Sequence, residues 1–300
     1  MLTLTRIASQ PHRDLREVFR LNRICRSCRK FSAGVLFCLL FLTAGALHCQ
    51  EDVPADNESA SDPIPPQAAA ASSVPSELSW KQLPMNILRD QKSLLLFPEG
   101  LAQGHHWLPT IAIVGVTAGL LAADPHDVSY FRQTNSFHAF NQAFSGNITA
   151  AEIGAVPASL YLIGLARKDS YSQTTALLAG EAAADSLVVY GVIEAATRRL
   201  RPSDIAPQGP FNDTFFRANN GLFNHSFPSG HAMEAFAVAT VIAQRYKRHR
   251  WVPWAAYGAA AAIGFSRVTL QSHFPADVFI GAALGYSISR FEVLRGRWHE

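Results

Sequence analysis

Beyond residue 49 the chain has no cysteine. All four, Cys25, Cys28, Cys38 and Cys49, fall before it, so the remainder can form neither a disulfide nor a thiolate metal site. The Cys25–Cys28 pair lacks the partner ligands or strand–helix context of a zinc or redox motif and reads as part of a basic leader. Charge is scarce too: Asp, Glu, Lys and Arg make up 16% of the 300 residues, well under the usual quarter. That removes most solvated faces and suits a helical domain lying against or within a bilayer. The net charge of +3 is small, and much of the positive charge sits in the first thirty residues, which argues against a nucleic-acid partner. Alternating strand patterns are almost missing as well. The histidines His105, His106, His126, His138 and His225 show no ligand spacing with carboxylates, so no metal or other cofactor is expected, and loop or surface roles suit them. His225, just before a Pro-Ser-Gly-His turn, is placed at the mouth of a pocket.

What is present divides the chain in three. Residues 1–49 run from a basic stretch into the apolar segment Ala33–Leu47, the order of an export signal or anchor, with cleavage expected near residues 46–50. Residues 50–79, rich in Ala, Ser, Pro and acidic side chains, have linker composition. Residues 80–300 form the folded domain, with apolar helical segments at 107–123, 152–166, 174–197, 231–244, 252–266 and 277–290. An all-α six-helix bundle is the expected architecture. Most of these segments are shorter than the ~20 residues that cross a bilayer, and Glu181 and Asp185 interrupt the third. The resulting expectation is an exported, periplasm-facing domain, soluble or peripheral to the membrane, with a multi-pass inner-membrane protein as the alternative.

Three clusters follow in order: RRLRP at 198–202, FPSGHA at 227–232 and SRVTLQSHFPAD at 266–277. Singly, each has a plain structural explanation: a cationic helix end, a turn into a helix, and a histidine and aspartate one helical turn apart. Together, across about residues 105–290, they resemble the type 2 phosphatidic acid phosphatase superfamily, which includes bacterial acid phosphatases, lipid phosphatases and vanadium haloperoxidases. That family's signature is Lys, six residues, Arg-Pro; then Pro-Ser-Gly-His; then Ser-Arg, five residues, His, three residues, Asp. The second and third parts match in full.

The resemblance implies a phosphatase that needs no metal and acts on phosphomonoesters or on lipid phosphates and diphosphates through a phosphohistidine. The chemistry agrees with it, since phosphoryl transfer asks chiefly for positive donors around the equatorial oxygens, a nucleophile and an acid. Arg201 and Arg267 supply planar forks for phosphate. Ser229 offers a hydroxyl and Gly230 an open backbone N–H at a helix start. His273 is the implied nucleophile, Asp277 the group expected to hold its other ring nitrogen, and His231 the general acid. One position departs from the pattern: Glu194 stands where the family has Lys. Residues 194, 198 and 201 share a helix face, so Arg198 is expected to pair with Glu194 and stand in for the missing cation. The alternatives are a vanadium-dependent haloperoxidase, or a phosphate-binding protein weakened by Glu194.

Overall fold

A computed structural model describes residues 79–134, 136–144, 146–206, 209–219, 221 and 223–295. The expected leader, and the linker up to residue 78, lie outside them. All the described residues fall in one compact unit, Asp52–Glu300.

The described chain is helical, with no strand. The helices are α1 (Leu83–Ala102), α2 (Trp107–Gln133), α3 (His138–Ala143), α4 (Gly146–Arg167), α5 (Ser170–Thr197), α6 (Gly230–Arg245), α7 (Trp251–Thr269) and α8 (Pro275–Ser287). A 3₁₀ turn, Pro202–Asp204, follows α5, and α8 runs on into a π-helical turn, Ile288–Val293. Each of the six apolar segments becomes a helix, longer than its apolar stretch in most cases. Helices α1 and the short α3 add to them; in α1, Arg89, Asp90, Lys92 and Glu99 break any continuous apolar run.

Local chemistry sets the ends of α5, the helix that leads to the site. At its start the Asp169 carboxylate accepts from the N–H groups of Tyr171 at 2.9 Å and Ser172 at 3.3 Å, satisfying donors that a helix start otherwise leaves open. At its end Arg198 turns left-handed, φ 44°, and the chain leaves for the 199–229 loop.

Helix α6 is the centre of the bundle, packed by α5, α7 and α8. Its Ala232, Met233, Ala237 and Val241 are fully buried. Helix α8 reaches it through Gly281 and Gly285, four residues apart, a spacing that lets two helix backbones approach closely. A Cβ on Gly281 would sit 2.5 Å from the Ser229 carbonyl oxygen, and one on Gly285 would overlap the Met233 carbonyl. Because backbone blocks both, Gly281→Ala and Gly285→Ala should each destabilise the fold by about 1–3 kcal/mol or more, read from denaturant unfolding in detergent. Unchanged midpoints would show that the crossing is looser than this.

The expectation of a soluble or peripheral domain is overturned. Trp107–Gln133, Ile148–Arg167 and Ser170–Asp204 are each long and apolar enough to cross a membrane, and only 11%, 22% and 44% of their apolar windows are buried by the rest of the described chain. Leu108, Ile111, Val114, Leu162, Val188 and Val192 are exposed along them. Such apolar surface on polar-poor helices belongs in lipid, and the chain is an integral membrane protein. The sequence misled because the apolar segments looked too short to span and Glu181 and Asp185 interrupted the third, whereas the helices run on past their apolar stretches to 27, 20 and 35 residues. Asp124, Glu181 and Asp185 are buried, facing protein instead of lipid, which is how membrane helices keep ionisable groups.

Candidate active site

The 199–229 loop, the first turn of α6 and the α7–α8 connection meet at one end of the bundle. Backbone bonds join them: Ser226 N–H donates to Arg199 O at 2.8 Å, and Ser229 N–H to Asp277 O at 2.9 Å. The Phe227–Pro228 bond between these two tethers is cis.

At the centre is His273, 3% exposed. Its Nδ1 lies 2.6 Å from the carbonyl oxygen of Ser226. A carbonyl can only accept, so Nδ1 carries the proton and the lone pair is on Nε2. Burial, then Arg201, lowers the imidazole well below its usual pKa, with His231 and Arg267 acting in the same sense against the Ser226 carbonyl. The ring is therefore neutral near pH 7, the form a nucleophile needs.

The expected bond from His273 to Asp277 is not formed. Asp277, fully buried, instead accepts from Ser226 Oγ at 2.5 Å, from Phe274 N–H at 2.9 Å and from Arg199 Nη1 at 2.5 Å. The physical reason is its place at the start of α8, where its carboxylate caps the helix and meets Arg199. Asp277 thus reaches His273 through Ser226, whose hydroxyl it binds while the same residue's carbonyl orients the ring. Burial pushes the Asp277 carboxyl up to about 6, opposed by Arg199, Ser226 and the Phe274 N–H.

Arg199 was not singled out by its sequence, yet it anchors this end of the molecule. It is 2% exposed and splits its fork between Asp277 and Asp124 of α2, at 2.5 and 2.8 Å. Its guanidinium carbon lies 3.9 Å from the Phe274 ring centroid and 4.7 Å from that of Phe215. Ser226, Arg199 and Asp124 are the members of this cluster that motif reading missed. The one available signal was Asp124, a carboxylate inside an apolar helix, which needs a buried partner.

The expected phosphate donors fall into two groups. Arg201 uses Nε for the His225 carbonyl at 3.3 Å, and its two terminal nitrogens make no hydrogen bond among the described residues. Arg267, 1% exposed, binds Ser266 Oγ, Thr149 Oγ1 and the Phe144 carbonyl through Nε and Nη2; burial lowers it to about 10, opposed by Glu152. Ser229 is fully buried and its Oγ has no partner among the described residues. Gly230 opens α6, with His231 beside it in the first turn. Buried donors left without partners ask for a ligand, and an anion at this helix start answers the need.

Arg198 does not join them. Its side chain bends into the loop, donating to the Ala218 carbonyl and to Asn219 Oδ1 at 3.3 Å, and it makes no ion pair with Glu194. The left-handed turn at residue 198 takes it off the helical face that the pairing required. Glu194, fully buried, accepts from the His225 N–H at 2.6 Å instead.

The described residues hold one group with metal-ligand spacing: Asp90, Glu181 and Asp185, all buried, with ligand atoms within 4.8 Å of one another. It lies between α1 and α5. Gln91 Nε2 donates to Asp185 Oδ1 at 2.9 Å there.

Residues 173–298 match the family model described as PAP2 superfamily. The lipid A 1-phosphatase of Porphyromonas gingivalis is 40% identical over 67 residues, which cover 22% of this chain and 15% of that one. The lipid A 1-phosphatase of Rhizobium etli is 30% identical over 116 residues, 39% of this chain and 45% of that one. The chain thus spans less than half the length of these curated relatives. A solved structure, a transmembrane PAP2-type phosphatidylglycerolphosphate phosphatase from Bacillus subtilis, is 20% identical, with a TM-score of 0.35, covering 69% of this chain and 94% of that one.

Proposed function

Residues 173–298 belong to the PAP2 superfamily, and from that premise we propose that the chain is a membrane-embedded phosphatase acting on lipid phosphates or diphosphates through a phosphohistidine on His273. One observation carries the reading. A buried, neutral imidazole has its Nδ1 proton tied to the Ser226 carbonyl and lies within the electrostatic reach of Arg201, Arg267 and His231.

The steps follow from that arrangement. The substrate phosphoryl group sits against the terminal nitrogens of Arg201, the Ser229 hydroxyl and the start of α6. Nε2 of His273 attacks phosphorus while the bond to the leaving oxygen breaks, and His231 gives that oxygen its proton. The imidazole, now bonded to phosphorus, carries positive charge, which the Ser226 carbonyl stabilises at Nδ1. Water then gives a proton to His231 and attacks phosphorus, the nitrogen–phosphorus bond breaks, and phosphate leaves. Guanidinium groups and a helix start supply the electrostatic stabilisation.

The lipid assignment is supported by the exposed apolar helices and by the names of the matched relatives. Hydrolysis of lipid A, phosphatidic acid, undecaprenyl diphosphate and p-nitrophenyl phosphate by the purified chain tests it: lipid substrates should be turned over faster than the soluble ester, and no lipid preference would remove the assignment. Activity should persist in chelator and be inhibited by vanadate, which copies the pentacoordinate geometry of the transition state. Turnover lost in chelator and restored by a divalent ion would overturn the stabilisation by side chains.

A further inference from the structure

Two buried polar groups near the site have no evident use in the steps above. Glu194 is fully buried; Oε1 takes the His225 N–H at 2.6 Å, while Oε2 has no hydrogen-bond partner among the described residues. The Tyr190 hydroxyl lies beside this carboxylate and within electrostatic reach of Arg201. The Tyr190 ring also packs on Gly230, where an added Cβ would meet it at 3.1 Å. The second group is His225. It is 1% exposed, and neither ring nitrogen has a hydrogen-bond partner among the described residues. A neutral imidazole always offers one N–H, and leaving such a donor buried and unpaired carries a cost that a native site tolerates only for a reason.

The backbone of His225 is held from both sides. Its N–H is fixed by Glu194, and its carbonyl by Arg201 Nε at 3.3 Å. The next residue, Ser226, orients the His273 ring. His225 therefore stands between Arg201, whose terminal nitrogens have no hydrogen-bond partner among the described residues, and the residue that sets the tautomer of the nucleophile. A carboxylate at 194 that faced bound phosphate would repel it, but this one is spent on a backbone N–H.

We infer that His225 is a further phosphate-binding residue, donating from its imidazole to a phosphoryl oxygen, and that Glu194 is the positioning residue that holds it there. This rests on the phosphatase reading and deepens it. The donor missing at position 194 is supplied from the loop, and the carboxylate that replaces it is the anchor of that loop.

The test uses the full chain in detergent, with orthovanadate as the probe and a soluble ester as substrate. His225→Gln keeps an N–H donor, whereas His225→Met keeps bulk without one. His225→Met should weaken vanadate inhibition and raise KM by on the order of 10-fold to 10²-fold, with its melting temperature close to that of the wild type; His225→Gln should recover most of the loss. Glu194→Gln should fall between them, because its amide oxygen can still accept the His225 N–H. Glu194→Lys should be worse than Glu194→Gln, because a cation cannot accept that bond. In the wild type, the His225 imidazole nitrogen resonances should move when vanadate is added, a readout that needs no variant. Equal vanadate sensitivity in Met and Gln variants, or unmoved resonances, would overturn the donor role while leaving the phosphatase reading intact. A wild type without vanadate-sensitive hydrolysis would remove both.

Discussion

Arg199→Ala should destabilise the protein by about 3–5 kcal/mol and abolish turnover with it. The expectation rests on what the guanidinium holds: two fully buried carboxylates, Asp124 and Asp277, at 2.8 and 2.5 Å, and two aromatic faces. Removing it leaves two negative charges buried together without their shared cation, which is far costlier than losing a surface pair. Arg199→Lys should recover little, because a point charge cannot span two carboxylates as the planar fork does. Chemical denaturation in detergent measures this. A shift within ±0.5 kcal/mol, the range of most surface changes, would mean that the triad does not secure α2 and α8 to the site.

The second large effect concerns the two histidines. His273→Ala should cut turnover by on the order of 10⁴-fold or more, since loss of a nucleophile removes the covalent route altogether. His231→Ala should fail with a poor leaving group yet still transfer phosphate to the protein from p-nitrophenyl phosphate, whose departing oxygen needs little help from an acid. Only the acid can be bypassed. Equal labelling of both variants by a phosphate-labelled ester would refute the division of roles.

The motifs pointed to residues that the fold gathers in one place. His231, Ser229, Gly230, Arg201, Arg267, His273 and Asp277 were named through the superfamily that the ordered motifs resemble, and the loop, the first turn of α6 and the α7–α8 connection bring them to one end of the bundle. Second partners were not legible, because they depend on three-dimensional approach. Spacing suggested that Asp277, one turn after His273, holds the ring. The fold gives that place to the Ser226 carbonyl and sets Asp277 against Arg199, 78 residues away in sequence.

Arg198 failed for a local reason. A shared helical face assumes that the helix continues, and φ 44° at residue 198 ends it there. The membrane reading failed on a different confusion. The apolar segments looked too short to span, and Glu181 and Asp185 look from sequence like breaks in the third, but the helices extend beyond those segments and a buried acid can sit inside a spanning helix if it faces protein. The six helical segments were legible because apolar periodicity survives in each. Helix α1 was not, since its charges interrupt the pattern and its buried residues are Asn86 and Asp90.

The central claim is a covalent one, and rapid quenching tests it most directly. The full wild-type chain is mixed with a phosphate-labelled ester, quenched within one turnover, digested and mapped. The account predicts acid-labile phosphate on the peptide bearing His273, attached at Nε2, since Nδ1 is held by Ser226. Turnover without any covalent phosphate, or label on another residue, would contradict it.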